Sequence, residues 1–164
     1  MKKPLVLIIE DDQEQADEIN KTITSHNFTT IVSLNGFEGL AMVRKYRRWF
    51  GFGKNKISCI LLDIRMPQMD GLSFLKILRK LEKKSIFSGF IPVVILTAYN
   101  NSDYRDSATD PVEGFAAEYL TKPFNPKELI DTLRRIIFNK DTEFLIEKTR
   151  KQSNLMQIYK DKLI

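Results

Sequence analysis

Leu5-Val6-Leu7-Ile8-Ile9, followed at once by Glu10-Asp11-Asp12, is the stretch on which the fold turns. Five apolar residues bounded by Pro4 and by acids make a short continuous run, three of them β-branched. Such a run suits a strand buried on both faces, as in a parallel sheet, and not the alternating pattern of a half-solvated strand. Moving outward, comparable runs recur at residues 29–34, 57–62, 91–96 and, less purely, 116–120.

Helical patterns with recognisable starts lie between these runs. Asp12 followed by Gln15 resembles a capping box ahead of Ala16, Ile19 and Ile23. Asn35 with Glu38 opens a helix over 37–46, and Asp70 opens another over 72–81. Asn125, Pro126 and Glu128 supply an N-cap, an N1 proline and an N3 acid, and Leu129, Ile130, Leu133, Ile136 and Ile137 then form one stripe. A fourth helix, at 100–110, is polar and limited by Pro111, which predicts a short element. Strand and helix alternating five times predict an α/β fold: a five-stranded, right-handed parallel sheet between helical layers.

The chain has 164 residues, 43% hydrophobic and 29% charged, the size and balance of one globular domain. No apolar run approaches the roughly 18 residues that span a bilayer, and the acids at 10–12 break any N-terminal signal peptide. The single cysteine, Cys59, excludes an internal disulfide framework. A soluble, cytoplasmic protein without membrane contact is expected. The formal charge is +5, but residues 1–138 carry 20 positive and 17 negative groups and residues 139–164 carry 6 and 4. An excess spread this evenly argues against a dedicated basic tail, and a nucleic-acid partner is not expected.

In a parallel α/β sheet, ligands gather where strands end and the following loops begin. The first predicted strand ends in Glu10-Asp11-Asp12, the third in Asp63, the fourth in Thr97, and Lys122 follows the fifth. Clustered carboxylates repel one another unless a cation joins them, and hard oxygen ligands suit Mg²⁺. With that ion, a carboxylate can act as nucleophile towards phosphorus while Lys and Thr hold phosphoryl oxygens. Each group alone has an ordinary explanation. Acids after a strand favour a helix N-terminus, a lone Asp caps a helix, and Lys-Pro makes a turn. The combination is informative because four strand ends each carry a group that one mechanism requires.

Taken together, these stretches resemble the response-regulator receiver domain of bacterial two-component and phosphorelay systems. The resemblance rests on Val6-Leu7-Ile8-Ile9-Glu10-Asp11-Asp12, on Leu62-Asp63-Ile64-Arg65-Met66-Pro67-Gln68-Met69-Asp70-Gly71, on Val94-Ile95-Leu96-Thr97-Ala98, and on Tyr119-Leu120-Thr121-Lys122-Pro123-Phe124. It implies a doubly wound, flavodoxin-like (βα)5 receiver fold over residues 1–138, and a signalling switch instead of an enzyme. Asp63 would be the phosphoacceptor, charged by a histidine kinase or a histidine phosphotransfer protein. Glu10 and Asp11 would handle Mg²⁺, Asp11 directly and Glu10 directly or through water, leaving Asp12 as helix cap. Arg65 would add its backbone carbonyl. Lys122 would pair with the acidic pocket and then with the phosphoryl oxygens. Thr97 would be the switch hydroxyl and Tyr119 the aromatic that follows it, and the Lys122-Pro123 bond would be cis. The surface of the fourth helix, fifth strand and fifth helix would then change for a downstream protein.

Several segments depart from that pattern. Residues 46–56 are long and carry Trp49, Phe50 and Phe52 among basic residues, the composition of a partner surface. Residues 82–90 lengthen the approach to the fourth strand, and 100–114 replace an amphipathic helix with polar residues, so the family's usual dimer is not carried over. Arg65 and Tyr99 flank the phosphoryl position, and their bulk predicts a long-lived phosphorylated state. Residues 139–164 predict an extra C-terminal helical extension or linker, too short for an output domain.

Two other classes of function fit these residues less well. A Mg²⁺-dependent phosphatase of the haloacid-dehalogenase type expects a second Asp two residues after the nucleophile, where Arg65 stands. A pseudo-receiver acting only as a binding module would have lost key groups, and all of them are present. DNA-binding regulation would need a helix-turn-helix module, and none is visible.

Overall fold

Leu7 and Ile9 pack into the core on one side of their strand, Val6 and Ile8 into the core on the other, and all four are fully buried. The apolar run therefore sits inside a sheet covered on both faces. The computed structural model describes residues 2–46, 56–83, 90–98 and 116–138. Within them the elements run β1 (Leu5–Ile9), α1 (Gln13–Thr24), β2 (Thr29–Ser33), α2 (Gly36–Tyr46), β3 (Ile57–Asp63), α3 (Gly71–Lys83), β4 (Val93–Thr97), β5 (Glu118–Thr121) and α4 (Pro126–Phe138). This α4 is the fifth helix of the sequence pattern. The fourth predicted helix, Trp49, Phe50, Phe52, Tyr99 and residues 139–164 lie outside the described residues.

The five strands form one parallel sheet in the order β2-β1-β3-β4-β5. That is the doubly wound, flavodoxin-like order, with the chain reversing direction across the sheet beside β1 and β3. One core layer joins Leu40, Val43, Phe74 and Leu78 to Leu7, Ile9, Leu62 and Ile95. The other joins Ile19, Ile23, Leu129 and Leu133 to Val6, Ile8, Leu61 and Leu96. Each such side chain contributes about 1.5–3 kcal/mol by leaving water. Cys59 lies wholly inside the second layer, where burial pushes its thiol up to about 12. The edge strands are less enclosed than their apolar runs suggest. Ile31 and Val32 of β2 are only half-buried, since that strand has a neighbour on one side alone.

The helix starts follow their caps. Asp12 accepts from the N–H groups of Glu14 (2.9 Å) and Gln15 (3.0 Å). The Gln15 amide donates to Asp12 Oδ2 at 3.1 Å, whereas the reciprocal bond of a capping box runs to the cap's own N–H. An ionised carboxylate is the stronger acceptor within reach. Asn35 Oδ1 accepts from Glu38 N–H at 2.9 Å, and Glu38 Oε2 accepts from Leu34 N–H at 3.1 Å. Leu34 has thus spent its donor on α2, and β2 stops at Ser33, one residue short of the apolar run.

The approach to β4 differs most from the sequence pattern. α3 continues to Lys83, past the predicted end at 81, and takes Glu82 with it. Arg79 Nη1 donates to Glu82 Oε2 at 2.6 Å, with both residues 4% exposed. Glu82 Oε1 accepts from Ile91 N–H (2.9 Å), and Arg79 Nη1 donates to Ile91 O (3.1 Å). The guanidinium stacks 3.8 Å over the Phe90 ring. With the Ile91 backbone engaged in this clamp, and Pro92 lacking an N–H, β4 begins at Val93 and not at 91.

Candidate functional site

The C-terminal ends of β1, β3, β4 and the turn after β5 meet at one edge of the sheet. Asp63 is the last residue of the central strand and is 7% exposed. Glu10, one residue beyond β1, is 1% exposed and donates its N–H to Ser33 O at 3.1 Å. Asp11 is exposed. One carboxylate oxygen from each of Glu10, Asp11 and Asp63 lies within 4.8 Å of the others. Asp12 is excluded from this cluster by its role at the helix cap, where the Gln15 N–H holds its carboxyl below the ordinary range.

Lys122 reaches into the cluster from the turn after β5. Its N–H donates to Thr97 O at 2.7 Å, so the turn is fixed to the end of β4. Its Nζ donates to Glu10 Oε2 at 2.6 Å and to Asp63 Oδ1 at 3.1 Å. The Lys122–Pro123 peptide bond is cis. Asp63 Oδ2 accepts from the Arg65 N–H at 3.0 Å, so both oxygens of Asp63 have partners. Burial pushes the Glu10 and Asp63 carboxyls up, against the downward pull of Lys122. Burial pulls the Lys122 ammonium down, but the two carboxylates outweigh it and hold it above its ordinary value. All three shifts run upward: burial disfavours the two carboxylates, and those carboxylates favour the ammonium.

Thr97 closes β4 and is buried. It pairs in register with Thr121, while Tyr119 pairs with Ile95 and packs against the first core layer. Side chains two apart on a strand share a face, so Thr97 and Tyr119 lie diagonally on the same side of the sheet. Glu10, Asp11, Asp63, Lys122 and the Arg65 N–H are thus gathered at one place, with Thr97 at its margin and Tyr119 two residue pairs further down β4 and β5.

The sequence motif contained one further constraint without marking it. Gly71, the first residue of α3, donates its N–H to Ile64 O at 2.8 Å. A β-carbon at this position would fall 2.3 Å from Asp63 O and 2.9 Å from Ile64 Cα. Only glycine lets the helix start so close to the strand end that carries Asp63. The Asp-Gly pair at a helix start is the visible signal, but its meaning depends on which backbone stands opposite.

The donor set is made of hard oxygens from three carboxylates, and it fits a small divalent cation such as Mg²⁺ better than a soft metal. Residues 6–134 match the family model described as the response regulator receiver domain. The chain belongs to that family. Signalling in two-component systems is the work of receiver domains, and phosphorylation and Mg²⁺ binding are general features of them. This receiver is 30% identical over 146 residues to the uncharacterized transcriptional regulatory protein YkoG of Bacillus subtilis, spanning 87% of this chain and 55% of that one. It is 30% identical over 135 residues to the transcriptional regulatory protein CpxR of Escherichia coli, spanning 80% and 48%. The chain therefore spans about half the length of these curated relatives. Among solved structures, the chemotaxis protein CheY4 of Vibrio cholerae matches with a TM-score of 0.67 at 25% identity, over 82% of this chain and 98% of that one. The receiver domain of Francisella response regulator 1452 matches with a TM-score of 0.64 at 29% identity, over 82% and 97%. No helix among the described residues is long and apolar enough to cross a membrane.

Proposed function

We propose that this receiver accepts a phosphoryl group on Asp63 from phosphohistidine on a kinase or phosphotransfer protein, and signals by protein contact. It does so without an output domain in residues 139–164. The observation that supports this most directly is the environment of Asp63, whose carboxylate at the central strand end lies 3.1 Å from Lys122 Nζ and within 4.8 Å of Glu10 and Asp11. A carboxylate oxygen of Asp63 attacks phosphorus, the P–N bond breaks, and its electron pair returns to the donor imidazole. Mg²⁺ held by Glu10, Asp11, Asp63 and the Arg65 carbonyl would neutralise charge on the phosphoryl oxygens. Lys122 is already in hydrogen-bonding contact with Asp63 and follows the new oxygens.

Phosphorylation adds negative charge and acceptor oxygens beside Thr97. The hydroxyl moves towards them, Tyr119 follows into the space behind, and the face of β5 and α4 changes. A groove of about 680 Å³ runs along that face, lined by Tyr119, Asn125, Lys127 and Arg135 among others. Arg135 and Glu118, an ion pair of 2.6 Å, are both among its lining residues. Such a change is a shift between two packings of one fold.

Incubation with phosphoramidate and Mg²⁺, followed by intact mass, tests the assignment. Wild type gains one phosphoryl group and Asp63→Asn gains none; an adduct on both, or on neither, rejects it.

A further inference from the structure

The loop from Asp63 into α3 is braced along its length. Gly71 N–H on Ile64 O closes its base, Arg65 N–H holds Asp63 Oδ2, and at the crest Met69 N–H donates to Pro67 O at 2.7 Å. The chain turns this crest through Gln68, whose φ of 68° lies in the left-handed region. Residues with side chains seldom adopt that conformation, and it persists where surrounding contacts hold it. The contact that follows is the Met69 side chain, 8% exposed and part of the first core layer. It is seated on Gly36, the first residue of α2. A β-carbon at Gly36 would fall 2.9 Å from both Cγ and Sδ of Met69. Glycine at 36 makes the seat, and the methionine thioether fills it.

We propose that Met69, through its seat on Gly36, is a positioning residue for Asp63. Anchoring the crest to α2 sets the loop whose backbone orients the Asp63 carboxylate and presents the Arg65 carbonyl. The start of α2 thereby becomes part of the structure that prepares the site. This inference rests on Asp63 being the phosphoacceptor.

The test compares wild type, Met69→Ala, Gly36→Ala and the double variant. Phosphorylation by phosphoramidate is followed by intact mass, Mg²⁺ affinity by calorimetry, and folding by thermal unfolding. Both single variants are expected to unfold cooperatively, to bind Mg²⁺ more weakly and to take the phosphoryl group about tenfold to a hundredfold more slowly. In the Met69→Ala background, Gly36→Ala should add less than it costs in wild type, because Cγ and Sδ are gone and only the β-carbon of residue 69, 3.1 Å away, remains to give way. Met69→Leu keeps the volume and should restore most of the rate, which also keeps the test open if Met69→Ala fails to fold. Single variants with wild-type rate and Mg²⁺ affinity but a lower melting temperature would make the seat packing alone, and overturn the proposal. Independent, multiplying effects of the two substitutions would overturn it too. A wild-type chain that binds Mg²⁺ but takes no phosphoryl group removes the phosphoacceptor assignment, and the Mg²⁺ affinities of the variants still decide the role of Met69. A chain that does neither overturns both.

Discussion

Lys122 Nζ stands 2.6 Å from Glu10 Oε2, closer than its 3.1 Å to Asp63 Oδ1. The lysine is thus anchored chiefly by the more deeply buried acid, and its contact with Asp63 is the longer of the two. A nucleophile has to be freed from its cation in order to react, and this asymmetry lets Asp63 part from Lys122 more easily than Glu10 does.

Burial holds the Asp63 carboxyl above its ordinary value. An acid shifted upward contributes stability that is fully present below its unfolded pKa and is lost as pH rises through the folded one. In metal-free buffer, Asp63→Asn is therefore expected to melt above wild type at pH 7, with the gap closing towards pH 4. Thermal unfolding at several pH values in chelator checks this; a wild type that melts higher at pH 7 would contradict it.

Added Mg²⁺ should reverse that order. A ligand that binds only the folded state at a hundred times its dissociation constant stabilises by about 2.7 kcal/mol. Urea unfolding with and without Mg²⁺ should show a gain of this order for wild type. Glu10→Gln and Asp63→Asn should lose most of it, because each removes one of the three clustered carboxylates.

Replacing Lys122 by Met removes the cation that draws the Glu10 and Asp63 carboxyls downward while leaving their burial in place. Both carboxyls should then titrate higher than in wild type, read by carbon NMR of the side-chain carboxyls. Phosphorylation by phosphoramidate should slow at the same time. Unmoved titrations would mean that the lysine contacts contribute little in solution.

The Arg79–Glu82 pair offers a test away from the site. Glu82→Ala takes the carboxylate away from a buried guanidinium and the Oε1 acceptor away from the Ile91 N–H, which should cost about 3–5 kcal/mol. Arg79→Met with Glu82→Met removes both charges together and should recover much of that loss in urea unfolding. A single variant as stable as wild type would show the clamp to be dispensable.

The order of elements was legible because each strand is a distinct apolar run and each helix announces its start with Asp12, Asn35, Asp70 or Asn125. The carboxylates at the sheet edge were legible because the topology puts every strand end on one side. The Arg79–Glu82 clamp was not, since opposite charges three residues apart on a helix read as a solvated face. Their burial depends on Phe90 and Ile91, which the sequence pattern placed in the strand and its approach. The seat of Met69 on Gly36 and the close approach of Gly71 to Asp63 were hidden for the same reason. Each depends on a partner far along the chain or on an absent β-carbon, and neither leaves a periodic trace.

Cys59 is the chain's single cysteine, and it is sealed within the sheet with its thiol pushed up to about 12. Thiol-directed dyes at neutral pH need a thiolate, and this one offers almost none. A cysteine placed at Phe37, 55% exposed and next to the Met69 seat, would then take a fluorophore selectively. The native core thus supplies a ready background for watching the phosphoacceptor loop optically.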